Sequence, residues 1–196
     1  MRVKSGSILM AAGLLCLAAA LGLAAYNLWD EQRAARTVET EVAFLAETIP
    51  QKQEEEQPLV PEVQVMMTSV EVDGRSYVGI LELPTQGLTL SVQSQWNESL
   101  LKRSPCLYEG TIYDGMIIAG HNYRSHFARL NRLRPGDPVT FTDVDGNRWD
   151  YTVTLTEVIH GNDAEGMKAG DWDLTLFTCT YGGEERFTVR CTMEIG

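Results

Sequence analysis

The sequence predicts an all-β domain, an antiparallel-rich barrel or sandwich, preceded by an apolar helix and a polar stem. Three observations carry that expectation. From about residue 70 onward, short alternating or continuous apolar runs follow one another with turn residues between them. An Asp-Gly step, Asp145-Gly146, joins two alternating runs and is the strongest local hairpin signal in the chain. Ahead of all this, residues 7–28 carry no charge, and about 22 such residues suffice to cross a hydrocarbon core as a helix.

The elements follow in order. Arg2 and Lys4 precede the apolar run, while Asp30 and Glu31 follow it, so the N-terminus is expected on the cytoplasmic side. Residues 1–6 read as a cytoplasmic tail and 7–29 as a retained transmembrane anchor, in preference to a cleaved signal peptide. Residues 30–69 combine a stem helix, with Val38, Val42 and Leu45 at helical spacing, and a Glu/Pro-rich linker around residues 50–63. The stem helix is expected to be amphipathic without a partner. Residues 70–196 form the folded domain. Its expected strands are "YVGILEL", "LTLSV", "GMIIAG", "VTFTDV", "WDYTVTLTEVI", "LTLFTC" and "RFTVRCTME".

Bulk properties exclude several functions. A formal net charge of -11 disfavours nucleic-acid partners, whose phosphates call for a basic face. Neither GxxxxGK[ST] nor GxGxxG occurs, so a nucleotide cradle has no support. The four cysteines, Cys16, Cys106, Cys179 and Cys191, lack CxxC spacing, and no metal and no cofactor are expected. Cys106 and Cys191 are expected as unpaired core residues rather than a bridge. Asp163, Glu165, Asp171 and Asp173 read as a solvated acidic loop in preference to a calcium site.

Chemistry concentrates in "LTLFTCTYGGEERFTVR", residues 174–190. A strand ends in Cys179, a Gly-Gly turn follows, and the next strand opens with Arg186. Alternation puts Phe187, Val189, Cys191 and Met193 on the core face and Arg186 on the other, within reach of Cys179. A guanidinium favours the thiolate and steadies an oxyanion, yet proton transfer still needs a base. His121, at the end of the apolar strand "IIAG", is the preferred partner. His160, at another strand end, stays open as the second choice, and His126 has no comparable seat.

These residues carry a resemblance. "TLFTC" followed by "RFTVR", with "IIAGHN" upstream, resembles the sortases, cysteine transpeptidases of Gram-positive cell surfaces. The likeness extends through "YVGILELPTQGLTLSV", "LKRSPCLYEGT" and "MIIAGHNYRSHFARLNRLRPGDPVTF", from about residue 75 to the end. It implies a closed β-barrel of seven to eight strands. It also implies Cys179 as nucleophile, His121 as acid/base and Arg186 as oxyanion-stabilising cation, with Thr178 and Asn122 as substrate contacts and Arg190 as a structural or surface residue. The implied reaction cleaves an LPxTG-like signal on secreted proteins through a thioester and passes the acyl group to an amine of the cell wall or of a pilin. The class stays open and B- or D-like; the short segment 159–173 speaks against class B and the lack of a second apolar span against class C. The competing readings are a catalytically silent or binding-only surface domain, a pilin-assembling enzyme, and a peptidase that only hydrolyses.

Overall fold

Strand β2 (Arg75–Leu83) is the seam of the fold. Its one edge pairs antiparallel with β3 (Leu88–Gln93). Its other edge is shared, by β1 (Val70–Val72) along the first residues and by β6 (Pro138–Asp143) from Gly79 to Glu82. The remaining strands are β4 (Cys106–Thr111), β5 (Asp114–Ala119), β7 (Arg148–His160), β8 (Leu174–Cys179) and β9 (Glu185–Met193). The sheet order is β1-β2-β3-β4-β5-β8-β9-β7-β6, and the β2–β6 pairing joins its ends. Eight strands thus form a closed barrel, with β1 added outside the ring. This computed structural model describes residues 3–51, 66–180 and 182–194, so most of the expected linker lies outside the described residues.

Closure depends on a missing side chain. A Cβ on Gly79 would come within 2.2 Å of the Thr142 carbonyl oxygen on β6, so only glycine lets the last pair of strands meet. Most neighbours are antiparallel, as expected, but β3–β4 and β5–β8 run parallel. The parallel β5–β8 pair explains why "MIIA" reads as a continuous apolar run: both faces are covered. Inward residues of all eight strands fill the barrel, among them Leu81, Leu90, Ile118, Phe141, Trp149 and Leu176. Phe127, Leu130 and Leu133, from the β5–β6 connection, join the same core. Cys106 and Cys191 are buried free thiols, and burial pushes both up to about 12.

The chain divides into two units, Met1–Arg33 and Ala34–Gly196. In the first, helix α1 (Val3–Thr48) is exposed and apolar, with a stretch of mean hydropathy 2.4 that is long enough to cross a membrane. The rest of α1 belongs to the second unit, and here the expectation of a stem helix without a partner is corrected. Ala34, Val38, Glu41, Leu45 and Ile49 are buried. Their spacing of three and four residues makes one stripe, which the barrel wall covers. Val38 joins the main core; Leu45 and Ile49 pack with Val72, Tyr77 and Ile80. In the middle of the stripe the Glu41 carboxylate accepts from Ser91 Oγ at 2.9 Å and Arg75 Nη1 at 3.3 Å. Burial raises the Glu41 carboxyl above its ordinary range, and the Ser91 and Arg75 contacts offset part of that rise.

Candidate active site

Side-chain alternation sorts β8 into two faces. Leu174 and Leu176 enter the core, so Thr175, Phe177 and Cys179 lie on the outer face. On β9, Val189 and Cys191 enter the core, which puts Arg186, Thr188 and Arg190 outside. The β8–β9 register pairs Cys179 with Arg186 directly. On the other side of β8, parallel β5 pairs Ala119 with Phe177, and the Gly120 N–H still donates to the Phe177 carbonyl at 3.0 Å. Continued by two residues, that register sets His121 opposite Cys179 on the same outer face. Cys179 and Arg186 are therefore registered neighbours on the outer face, roughly 5 Å apart between strand backbones, and His121 lies two residues past the last registered residue of β5, at the same end of β8.

His160 occupies a different position. Ile159 is the β7 residue registered with Arg186, so His160 pairs with Glu185 and points to the opposite face. Of the two strand-end histidines left open by the sequence, His121 is the one that shares a face with the thiol.

Below Cys179 and Arg186 lies an apolar floor of Ala119, Phe177, Ile159, Ile117 and Met167. Tyr108 meets Phe177 edge-on at 5.3 Å, and Trp96 meets Tyr108 at 5.6 Å, so an aromatic train leads away from the thiol. The opposite border is the short helix α3 (Ala164–Lys168), capped by Asp163, whose carboxylate accepts from the Gly166 N–H at 2.7 Å. Buried Arg190 fastens α3 to the barrel by donating to the Gly166 and Met167 carbonyls, Thr175 Oγ1 and Glu157. Of the four acidic residues in this segment, Asp163 is thus a helix cap, and Asp173 accepts from the Met193 N–H.

The Arg186 guanidinium folds back on the β8–β9 turn, where Nη1 donates to the Gly183 carbonyl at 2.8 Å and the Glu185 carbonyl at 3.1 Å. It passes over Gly161, where a Cβ would sit 3.2 Å from Nη1. Cys179 and Arg186 are each partly exposed. Thr178, expected to touch substrate beside the thiol, is buried, because neighbours on a strand face opposite sides. Asn122 is half-buried in the turn after His121.

That turn contains what the sequence reading missed. His126, given no seat by its polar surroundings, is fully buried, with Nε2 at 3.1 Å from the Arg103 carbonyl. Burial pushes its imidazole down to about 4; His121 acts in the same direction and the Arg103 hydrogen bond opposes. Tyr123 stacks on the His121 ring, with centroids 4.0 Å apart and planes at 22°. No sequence period marks either residue, since the turn is neither helix nor strand.

The chain matches the Sortase domain family over residues 81–194, more than half its length, and it belongs to the sortase family. Sortase C1 from Streptococcus agalactiae superposes with a TM-score of 0.56 at 24% identity, covering 64% of this chain and 72% of that one. A Clostridium perfringens sortase D5 transpeptidase gives 0.53 at 20% identity, covering 61% and 79%. Listeria monocytogenes sortase A gives 0.54 at 25% identity, covering 61% and 88%. Among curated protein sequences nothing matches. Family and fold together make this chain a sortase-type cysteine transpeptidase in general terms, and the structural neighbours span several sortase classes.

Proposed function

We propose that this chain is a membrane-anchored sortase that cleaves an LPxTG-like sorting signal and transfers the acyl group to an amine. The observation that carries the reading is the outer-face pair of Cys179 and Arg186 over an apolar floor, with His121 just past the end of neighbouring β5. In that reading the Cys179 thiolate attacks a backbone carbonyl carbon of the signal. The carbonyl electron pair moves onto oxygen, where Arg186 donates to the oxyanion once its guanidinium leaves the turn carbonyls. Collapse breaks the C–N bond, and His121 supplies the proton, because an amide nitrogen leaves poorly as an anion. The thioester is then attacked by an amine that gives its proton back to His121, the C–S bond breaks, and the Cys179 thiolate returns. Water competes for the same thioester, so hydrolysis is the side reaction.

Asn122, next to His121, and Thr178, next to Cys179, are the candidate substrate contacts. The charges flanking the apolar helix support a cytoplasmic N-terminus and an external barrel, which would face secreted proteins and cell-wall amines. The test mixes residues 34–196, which keep the packed stem, with LPxTG-like peptides, with and without glycinamide, and reads intact mass. The expected result is a Cys179 adduct that glycinamide converts to a peptide amide. A thiol that neither forms an adduct nor reacts with iodoacetamide would remove the enzyme reading and leave a binding domain.

A further inference from the structure

The His121 imidazole stands at the free end of β5, beyond the last paired residue of its strand. A histidine there has two rotatable side-chain bonds and a partly exposed ring, so the strand by itself does not fix which way its nitrogens point. The following turn supplies that constraint. The Tyr123 N–H donates to the His121 carbonyl at 2.8 Å, and the Phe127 N–H donates to the same oxygen at 3.1 Å, so the chain doubles back over its own start. This return lays the Tyr123 ring on the His121 imidazole at 4.0 Å, nearly parallel. Tyr123 is held in turn: its carbonyl accepts from the His126 and Ala128 N–H groups, and its ring meets the His126 ring at 5.4 Å. His126 is fully buried and tied to the Arg103 carbonyl, in the segment between β3 and β4.

We propose that Tyr123 is a positioning residue for the acid/base, its ring fixing the plane of the His121 imidazole, whose Nδ1 is buried, so that Nε2 is the nitrogen presented to Cys179 and the leaving amine. The inference rests on the proposed role of His121. A stacked ring covers one imidazole face without covering Nε2 at the edge, which is the arrangement proton transfer to a bound nitrogen needs. It restricts ring rotation without occupying a nitrogen, as a hydrogen-bonding carboxylate would. Because the stack is made by the π face, the tyrosine hydroxyl contributes nothing to it. Phenylalanine therefore replaces tyrosine, and an aliphatic residue does not.

The experiment uses the full-length chain in detergent micelles, as wild type, Tyr123→Phe and Tyr123→Leu. Thermal melting serves as the folding control, and cleavage of an LPxTG-like peptide is followed with glycinamide present. Tyr123 is partly exposed, so both variants are expected to melt close to wild type. The expected result is a fall in kcat of roughly ten- to a hundredfold for Tyr123→Leu, of the size that misplaced catalytic groups cause. KM should stay unchanged and Tyr123→Phe should be near wild type. An active wild type with an equally fast Tyr123→Leu overturns the positioning role alone. So does a Tyr123→Phe as slow as Tyr123→Leu, which would make the hydroxyl the acting group, and so does a raised KM at constant kcat, which would make Tyr123 a substrate contact. A folded wild type that forms no thioester with any peptide overturns the sortase reading, and the positioning role with it.

Discussion

Cys179 and Arg186 are a cross-strand pair: β8 and β9 set them directly opposite each other, on the outer face of the barrel. The turn between the strands keeps the pair in register, with the Thr180 N–H donating to the Glu185 carbonyl at 3.0 Å. A backbone ladder of this kind fixes Cα positions and leaves the arginine side chain free to choose acceptors. At rest it chooses the turn carbonyls of Gly183 and Glu185.

In the proposed reaction Arg186 exchanges those carbonyls for a substrate oxygen. Arg186→Ala is expected to lower peptide turnover on the order of 10²–10³-fold, the usual loss for one oxyanion donor. Arg186→Lys should recover little, because a lysine ammonium cannot reproduce the planar fork. Steady-state cleavage of an LPxTG-like peptide, with iodoacetamide labelling of Cys179 as the control for an intact thiol, checks both. A Lys variant near wild type would reduce the role of Arg186 to bare charge.

The stem helix is part of the folded domain. Leu45 has no exposed surface and packs with Ile49, Val72, Tyr77 and Ile80. Leu45→Ala should cost about 2–5 kcal/mol of unfolding free energy, as buried leucine truncations do. Phe44, its exposed neighbour on the same helix, should be nearly neutral when changed to Ala. Urea unfolding of residues 34–196 compares the two. Equal effects would mean that the stem does not pack on the barrel in solution.

Legibility followed period and spacing. Alternating or continuous apolar runs revealed β2, β3 and β5 to β9, and a face assignment on β9 alone brought Arg186 beside Cys179. The Asp145-Gly146 turn was found, while Asp73-Gly74, which joins β1 to β2 with both residues at positive φ, carries the same signal and was passed over. β4 was missed because "CLYEGT" has no alternation; it is held by pairing with β5 rather than by its own pattern. The buried face of the stem was half legible. Val38 and Leu45 mark it, but Glu41 lies between them, and a carboxylate argues against burial unless its partners, Ser91 and Arg75, are already known. Spacing alone left His160 open beside His121, and the family resemblance, which rests on motif order rather than on a period, singled out His121.

His126 makes stability depend on pH in a defined direction. Its folded value is depressed from 6.5 to about 4, so the fold holds the neutral ring. Above 6.5 neither folded nor unfolded chain binds the proton, and His126 costs nothing. As pH falls from 6.5 toward 4 the unfolded chain takes up a proton that the fold refuses, and stability drops, by roughly 3 kcal/mol in all. Glu41, raised by burial, works the other way in mild acid, so the comparison must be with His126→Gln at each pH. The wild-type minus variant difference in unfolding free energy should decline steadily through that window. A flat difference would mean that the ring is solvated.

Gly120 is the hinge between the buried strand and the proposed acid/base. A Cβ there would lie 2.2 Å from the Phe127 ring, which is itself fully buried in the core. That ring has nowhere to move, so Gly120→Ala must push either the end of β5 or the return of the turn outward. Both motions displace His121, the next residue, while Cys179 stays seated on β8. The variant is expected to lose thioester formation far more than it loses iodoacetamide reactivity, and to melt below wild type, since overpacking a core typically costs 1–3 kcal/mol. Gly120→Ala combined with Phe127→Leu should relieve the clash and return part of the lost activity. No recovery in a double variant that still folds would show that the turn, once shifted, does not re-form around a smaller ring.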